Sequence, residues 1–250
     1  MRKETIRGQN GYDIPCLNNV SGDEKMAVIL SHGFGSSKDS PSAQAVSSAL
    51  PKHGIGTWGF DFPAHGDSPV DGEKLRIENC LNDLASVEAH VQKLLPEAEI
   101  AYFSSSFGAY LNLIYLATRP HAGRKSFLRC AAVNMPGIFR DATTPEQYRQ
   151  LLAQGFVVID QGYVRPLKIT RRFCDDLETH DVFKLFRTGM AEIEMIHGEA
   201  DETAPVSDAR RFAALSGAKL HEVEGADHRI MTPGGMDRVI DAAVRFFTAR

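Results

Sequence analysis

Residues Glu99–Leu111 read EIAYFSSSFGAYL, and this stretch decides the fold. Glu99–Phe103 is an apolar, strand-like run, Ser106–Arg119 reads as a helix ending before Pro120, and three serines stand at the join. A strand that turns sharply into a helix strains the residue at the turn. Small residues are then needed two positions before and two after it. Ser105 has Phe103 and Phe107 at those positions, and Ser104 has Tyr102 before it. Ser106 has Ser104 before and Gly108 after, so it alone fits as an exposed nucleophile. The alternative is a plain helix start with a serine cap. Ser104-Ser105-Ser106-Phe107-Gly108 also departs from the GxSxG pattern, with serine in place of the first glycine.

Strands and helices alternate outward from this stretch. Met26–Ser31, Ile55–Phe60, Cys130–Asn134, Ala191–His197 and Lys219–Val223 read as strands. Gln44–His53, Ile77–Leu95, Pro205–Leu215 and Met236–Thr248 read as helices. In the second of these helices Ile77, Leu81, Leu84, Val87, Val91 and Leu94 follow the three-and-four spacing of one buried helical face. Continuous apolar strands between helices predict a mostly parallel sheet covered on both faces. The first ~20 residues add an antiparallel edge hairpin turning at Asn10–Gly11. The rhythm lapses between Pro136 and Met190, where the strand-like pair Phe156–Ile159 and Tyr163–Ile169 surrounds Asp160-Gln161-Gly162. That segment is too short for a core of its own. The chain therefore reads as a single α/β domain over residues 1–250, with a small cap insertion at approximately 136–190 above the sheet.

Composition narrows the partners. The 250 residues are 43% hydrophobic, enough for one large core, and the net charge of −4 comes without a basic stripe, which argues against nucleic acid. No stretch is long and apolar enough to cross a membrane, and MRKETIRGQNGYD lacks the apolar core of a signal peptide. Cys16, Cys80, Cys130 and Cys174 are far apart and have no metal-ligand spacing. They predict free thiols in a reducing cytoplasm, with neither metal nor cofactor.

A serine hydroxyl needs a base, and the base needs a carboxylate to orient it. His228, in VEGADHRI between the last strand and the last helix, lies at the sheet end that can reach Ser106. MIHGEADETAP supplies Asp201, with Glu199 and Glu202 as rivals. The order Ser, Asp, His along the chain suits a parallel α/β sheet. Carbonyl attack also needs two backbone N–H donors for the developing oxyanion. Phe107, at the helix start, gives one. Phe34, in SHGFGSS between Gly33 and Gly35, gives the other. That loop is not a nucleotide cradle, because Lys38 stands where GxGxxG has its third glycine and GxxxxGK[ST] is absent.

Together LSHGFGSS, GFDFPAHGDS, AYFSSSFGAYL, IHGEADETAP and EGADH resemble the α/β-hydrolase superfamily over nearly the whole chain. The resemblance implies the α/β-hydrolase fold and a catalytic triad of Ser106, Asp201 and His228, with Phe34 and Phe107 as oxyanion donors. It implies that Asp61 and His65 buttress loops rather than react, and it gives His32 and His197 to turn motifs. His53, His90, His121, His180 and His221 have no motif and are expected on the surface. In size and insertion the chain is most similar to small intracellular cinnamoyl and feruloyl esterases, whose cap holds an aromatic acid. By that likeness Asp160, Gln161 and Tyr163 are candidate substrate contacts, the alternative being a solvated hairpin turn. The expected activity is hydrolysis of a small-molecule carboxylic ester. A thioesterase, a peptidase with the same triad, and a binding protein without turnover are the other readings. A dehalogenase would want aspartate at position 106.

Overall fold

The computed structural model describes residues 1–249. Eight strands form one sheet: β1 (Arg2–Arg7), β2 (Asp13–Asn19), β3 (Met26–Ser31), β4 (Ile55–Phe60), β5 (Glu99–Ser105), β6 (Lys125–Arg129), β9 (Glu192–Gly198) and β10 (Lys219–Val223). Their order is β1-β2-β4-β3-β5-β6-β9-β10. The first two joins, β1–β2 and β2–β4, are antiparallel, and every other join is parallel. The chain leaves β3 for β4 on one side and returns to β5 on the other. That reversal opens a crevice at the carboxyl ends of β3 and β5, where ligands bind in open α/β sheets.

Helices α1 (Pro41–Ala49), α2 (Ile77–Leu94), α3 (Phe107–Thr118), α8 (Val206–Ser216) and α9 (Gly235–Thr248) connect or close the strands. One face of the sheet packs on α2 and α3, where Ile77, Leu81, Leu84, Val87 and Val91 are buried. The other face packs on α1 and α9 through Val46, Val239 and Phe246. Burying each such side chain contributes roughly 1.5–3 kcal/mol.

Two elements of the main sheet and its helices differ from the sequence expectation. Cys130–Asn134 is a buried loop, and the strand is Lys125–Arg129. Charged residues at both its ends hide it from a hydrophobicity reading. Lys125 donates to the Ala249 carbonyl at 2.7 Å, and the Arg129 guanidinium is consumed by carbonyls at the site. Helix α1 starts at Pro41 rather than Gln44, with the Ser40 hydroxyl accepting the Ala43 N–H, and it stops at Ala49. Leu50–His53 is a 3₁₀ turn closed by Gly54 at φ 73°. Proline suits the first helical position because its missing N–H would have no partner there.

Between β6 and β9 the chain forms α4 (Met135–Ala142), α5 (Pro145–Gln154), the antiparallel pair β7 (Phe156–Ile159) and β8 (Leu167–Thr170), α6 (Arg171–Thr179) and α7 (Val182–Leu185). Thr144 and Gln147 form a capping box at the start of α5. Arg76 before α2 grips Asp176 of α6 with two parallel bonds of 2.5 and 2.7 Å. Strand β8 starts at Leu167, so Tyr163 lies in the seven-residue connection rather than in a strand.

The edge hairpin is docked through one buried carboxyl. Tyr12 Oη and Asn10 Nδ2 donate to Asp83 of α2 at 3.0 and 2.8 Å. Burial pushes that carboxyl up to about 7, against the lowering effect of those two donors. The folded state therefore binds a proton that the unfolded chain releases near pH 4. Stability from this group is full below that pH and is lost as pH rises through about 7. Between pH 5 and 8 we expect a fall of about 2–3 kcal/mol that Asp83→Asn does not share. Urea titrations of both proteins across that range check it, and parallel slopes would remove Asp83 as the cause.

Candidate active site

Ser106 sits between β5 and α3 at φ 53° and ψ −115°, a region that non-glycine residues rarely occupy. The elbow is held from several sides. The Ser106 N–H donates to the Arg129 carbonyl at 2.9 Å, and the Ser106 carbonyl accepts from Ala109 and Ala132. Gly108 is obligatory, because a Cβ there would lie 2.6 Å from the carbonyl oxygens of Ser31 and His32. Ser104, in the place of the usual glycine, is fully buried, and its hydroxyl has no hydrogen-bond partner among the described residues. Its small side chain is tolerated at a polar cost.

The structure brings Ser106, His228 and Asp201 into one hydrogen-bonded line. His228 Nε2 is 3.0 Å from Ser106 Oγ, and His228 Nδ1 is 2.7 Å from Asp201 Oδ2. Asp201 Oδ1 accepts the N–H groups of Thr203 and Ala204 at 2.9 and 2.7 Å. Burial alone would raise the Asp201 carboxyl. Hydrogen bonds from His197, His228 and the Ala204 N–H outweigh it and hold the group well below the usual carboxylate range. Asp201 is therefore a fixed anion aimed at Nδ1 of His228. That placement puts the proton on Nδ1 and leaves Nε2 free to accept from the serine. Glu199 and Glu202 are both exposed and take no part in the line.

Three supporting residues surround the line: His197, which the resemblance gives only to a turn motif, and Arg129 and Lys38, whose contacts here no motif marks. His197 is fully buried, with Nε2 at 2.7 Å from the Ala204 carbonyl and 3.1 Å from Asp201 Oδ2. Both neighbours accept, so the proton is on Nε2, and Nδ1 stays buried without a partner among the described residues. Arg129, also buried, donates to the carbonyls of His228 and Arg229 at 3.3 and 2.7 Å and pins the histidine loop. Lys38 is buried, and its Nζ lies 2.8 Å from Asp61 and 2.7 Å from Asp67, clamping the Asp61–Ser68 loop. A buried lysine, histidine or arginine is visible only once the fold supplies its partners.

The second loop beside the site is Asp61–Ser68. Asp61 accepts the backbone N–H groups of Lys38 and Asp67. His32 Nε2 accepts the Phe62 N–H at 3.1 Å, which puts its proton on Nδ1, facing the Gly33 carbonyl. Burial lowers His32 to about 4 and His65 to about 3, so both are neutral spacers at working pH. The Phe34 ring packs edge-on against Phe107 and His65, at centroid separations of 5.4 Å. On its other sides it meets Phe139, Tyr163 and Phe173 of the insertion. Neither the Phe34 nor the Phe107 N–H donates to another group among the described residues.

The remaining candidates lie on the insertion or outside the line. Asp160 and Gln161 are exposed on the β7–β8 connection, whereas Tyr163 is half-buried. Of the five histidines expected on the surface only His53 is fully exposed. His90, His121, His180 and His221 are half-buried, His180 bonding the Asp176 carbonyl and His221 bonding Glu194. Their partners are distant in sequence or are backbone atoms, so no motif marks them. Among the described residues Cys130, Asp201 and His228 bring ligand-type atoms within 4.8 Å of one another. A cation there would have to displace the His228–Asp201 bond. Burial also pushes the Cys130 thiol up to about 11, away from the thiolate that binds metals.

Residues 22–184, about two thirds of the chain, match the model of the serine aminopeptidase S33 family. No curated protein gives a significant match. Among solved structures, Est1E from Butyrivibrio proteoclasticus with ferulic acid bound superposes with a TM-score of 0.82 at 18% identity, covering 98% of this chain and 100% of that one. Mouse alpha/beta hydrolase domain-containing protein 10 gives 0.77 at 16% identity, covering 97% of each chain. An esterase from Exiguobacterium antarcticum gives 0.72 at 13% identity, covering 99% and 100%. At such identities the likeness establishes a shared fold, the α/β-hydrolase fold.

Proposed function

The chain belongs to the serine aminopeptidase S33 family of α/β hydrolases, and from that premise we propose that it is a serine hydrolase cleaving small-molecule carboxylic esters through an acyl-enzyme. The observation that carries the proposal is the Ser106–His228–Asp201 line, with its 3.0 and 2.7 Å contacts. Ser106 Oγ attacks the ester carbonyl carbon while His228 Nε2 takes its proton. The negative charge that forms on the carbonyl oxygen is held by the Phe34 and Phe107 N–H groups. The C–O bond to the alcohol then breaks, and His228 returns the proton to the leaving oxygen. Water attacks the acyl-serine by the same route, with His228 again as base, and releases the acid. Asp201 keeps Nδ1 protonated throughout and stabilises the imidazolium.

An aromatic acyl group suits the rings of Phe34, Phe139 and Phe173 around the site, and the ferulic acid bound to the structural neighbour Est1E points the same way. Asp160 and Gln161, on the same connection as the Tyr163 that meets Phe34, are proposed to meet a phenolic substituent. Four free thiols support a cytoplasmic location. The family's description favours a second reading, an aminopeptidase.

One experiment separates these readings. The protein is treated with a fluorophosphonate and the labelled peptide is identified. Acid release is then followed from a p-nitrophenyl ester, methyl ferulate, an acyl thioester and an aminoacyl anilide. The expected result is label on Ser106 and turnover of the aryl ester and ferulate well above the anilide. Turnover of the anilide alone would make the protein a peptidase, and of the thioester alone a thioesterase. A folded protein that takes no label would be a binding protein.

A further inference from the structure

The seven-residue connection between β7 and β8 does more than join two short strands. Three consecutive residues of it dock on the two loops that build the floor of the site. Tyr163 lays its ring against Gly35, so closely that a Cβ on Gly35 would lie 2.2 Å from the ring edge. The Val164 N–H donates to the Gly35 carbonyl at 2.9 Å. The Arg165 guanidinium donates to the Ser68 carbonyl at 2.9 Å, on the second loop. The same tyrosine ring meets Phe34 edge-on at 5.9 Å.

Gly33–Ser36 is a tight turn, closed by the Ser36 N–H on the Gly33 carbonyl at 3.2 Å, with Gly35 at φ 70°. The Phe34 N–H lies in the Gly33–Phe34 peptide, whose carbonyl is held by the Ser36 N–H and His32 Nδ1, so its direction follows the orientation of the turn as a whole. The Gly33–Ser36 bond fixes the turn internally. The Gly35 carbonyl is fixed from outside by Val164, and the Gly35 α-carbon by the Tyr163 ring. The Tyr163 hydroxyl makes no hydrogen bond among the described residues, so the ring is what the contact uses.

We propose that Tyr163 is a positioning residue: with the Val164 N–H it clamps the Gly33–Ser36 turn and so aims the Phe34 N–H at the developing oxyanion. The insertion thereby sets transition-state stabilisation from the far side of the loop, in addition to covering the site. This rests on the proposed serine-hydrolase reading for its effect on rate, but the clamp itself is a statement about loop order.

The test compares wild type, Tyr163→Phe and Tyr163→Ala by two readouts. The first is amide hydrogen exchange of a peptide spanning Gly33–Ser36. Exchange is expected to speed up at least tenfold in Tyr163→Ala and to stay at the wild-type rate in Tyr163→Phe. The second is steady-state kinetics on an aryl ester, with the affinity of an aryl boronic acid that forms a tetrahedral adduct on serine. In Tyr163→Ala, kcat and boronate affinity are expected to fall together by about 10–100-fold, approaching the loss of one oxyanion donor. KM should change less than threefold, and Tyr163→Phe should match the wild type. If Tyr163→Ala does not fold, Val164→Pro keeps the tyrosine, removes the N–H that holds the Gly35 carbonyl and should give the same pattern.

A raised KM with unchanged kcat would make Tyr163 a substrate contact and overturn the proposal. Unchanged exchange in Tyr163→Ala would do the same, and so would a Tyr163→Phe that behaves like the alanine variant. A wild type that hydrolyses nothing would sink the serine-hydrolase reading and the rate effect with it, whereas the exchange result would still decide whether the clamp exists.

Discussion

Ser106→Ala is expected to lower kcat/KM on an aryl ester by about 10⁴–10⁶-fold while leaving the protein folded. The size follows from what is removed. Without Oγ there is no acyl-enzyme, and what remains is direct attack by water assisted by the two N–H donors, which by themselves give roughly 10³–10⁴ over the uncatalysed reaction. The fold should tolerate the change, because alanine keeps the Cβ of a residue already held at φ 53°, and among the described residues the only hydrogen bond lost from the side chain is the one to His228. The neighbouring serines cannot replace it. Ser104 and Ser105 belong to β5 and are buried, and among the described residues Ser106 alone of the three bonds His228.

The check is acid release from a p-nitrophenyl ester by wild type and variant at matched folded concentration, with far-UV circular dichroism as the control. Activity within tenfold of wild type would move the nucleophile elsewhere, and fluorophosphonate labelling of the variant would then locate it.

The serine could be chosen from sequence because the elbow imposes a local steric rule. The positions two before and two after Ser106 must be small, and Gly108 shows why, its α-carbon pressed on the carbonyls of Ser31 and His32. Asp201 and His228 could be picked because each follows a legible strand. Strand β6 was not legible, and neither was its role. Lys125 and Arg129 break the apolar pattern, yet Arg129 ends up buried, holding the His228 loop by two carbonyls. His197 likewise acquires its meaning only when β9 and the following turn place Ala204 and Asp201 on one ring nitrogen. Tyr163 is by analogy a candidate substrate contact, with a hairpin turn as the alternative, and sequence spacing says nothing of its contact with Gly35, 128 positions away. Local rules reach strands, turns and the elbow serine. The shell that orients His228 and Asp201 is made of long-range pairs, and those are properties of the fold.

Asp201→Asn is expected to lower kcat by about 10⁴-fold on the same ester, and the hydrogen-bond donors around the carboxylate say why. Oδ1 accepts two backbone N–H groups, so the asparagine carbonyl must occupy that place and its NH₂ must take the place of Oδ2. Oδ2 now accepts from His228 Nδ1 and faces the His197 Nε2–H. With an NH₂ there, His228 Nδ1 has to become an acceptor, and its proton moves to Nε2. An Nε2–H cannot take the Ser106 proton, so the base is lost although every atom of the line is present. His197 meets a donor instead of an acceptor, which adds a local cost of about 1–3 kcal/mol and should lower the melting temperature by several degrees. Glu199→Gln and Glu202→Gln, altering two exposed carboxylates outside the line, should stay within twofold of wild type. Steady-state kinetics on the three variants decides the assignment. A large loss in either glutamine variant, with Asp201→Asn near normal, would transfer the orienting role to that glutamate and break the link between the 2.7 Å contact and the chemistry.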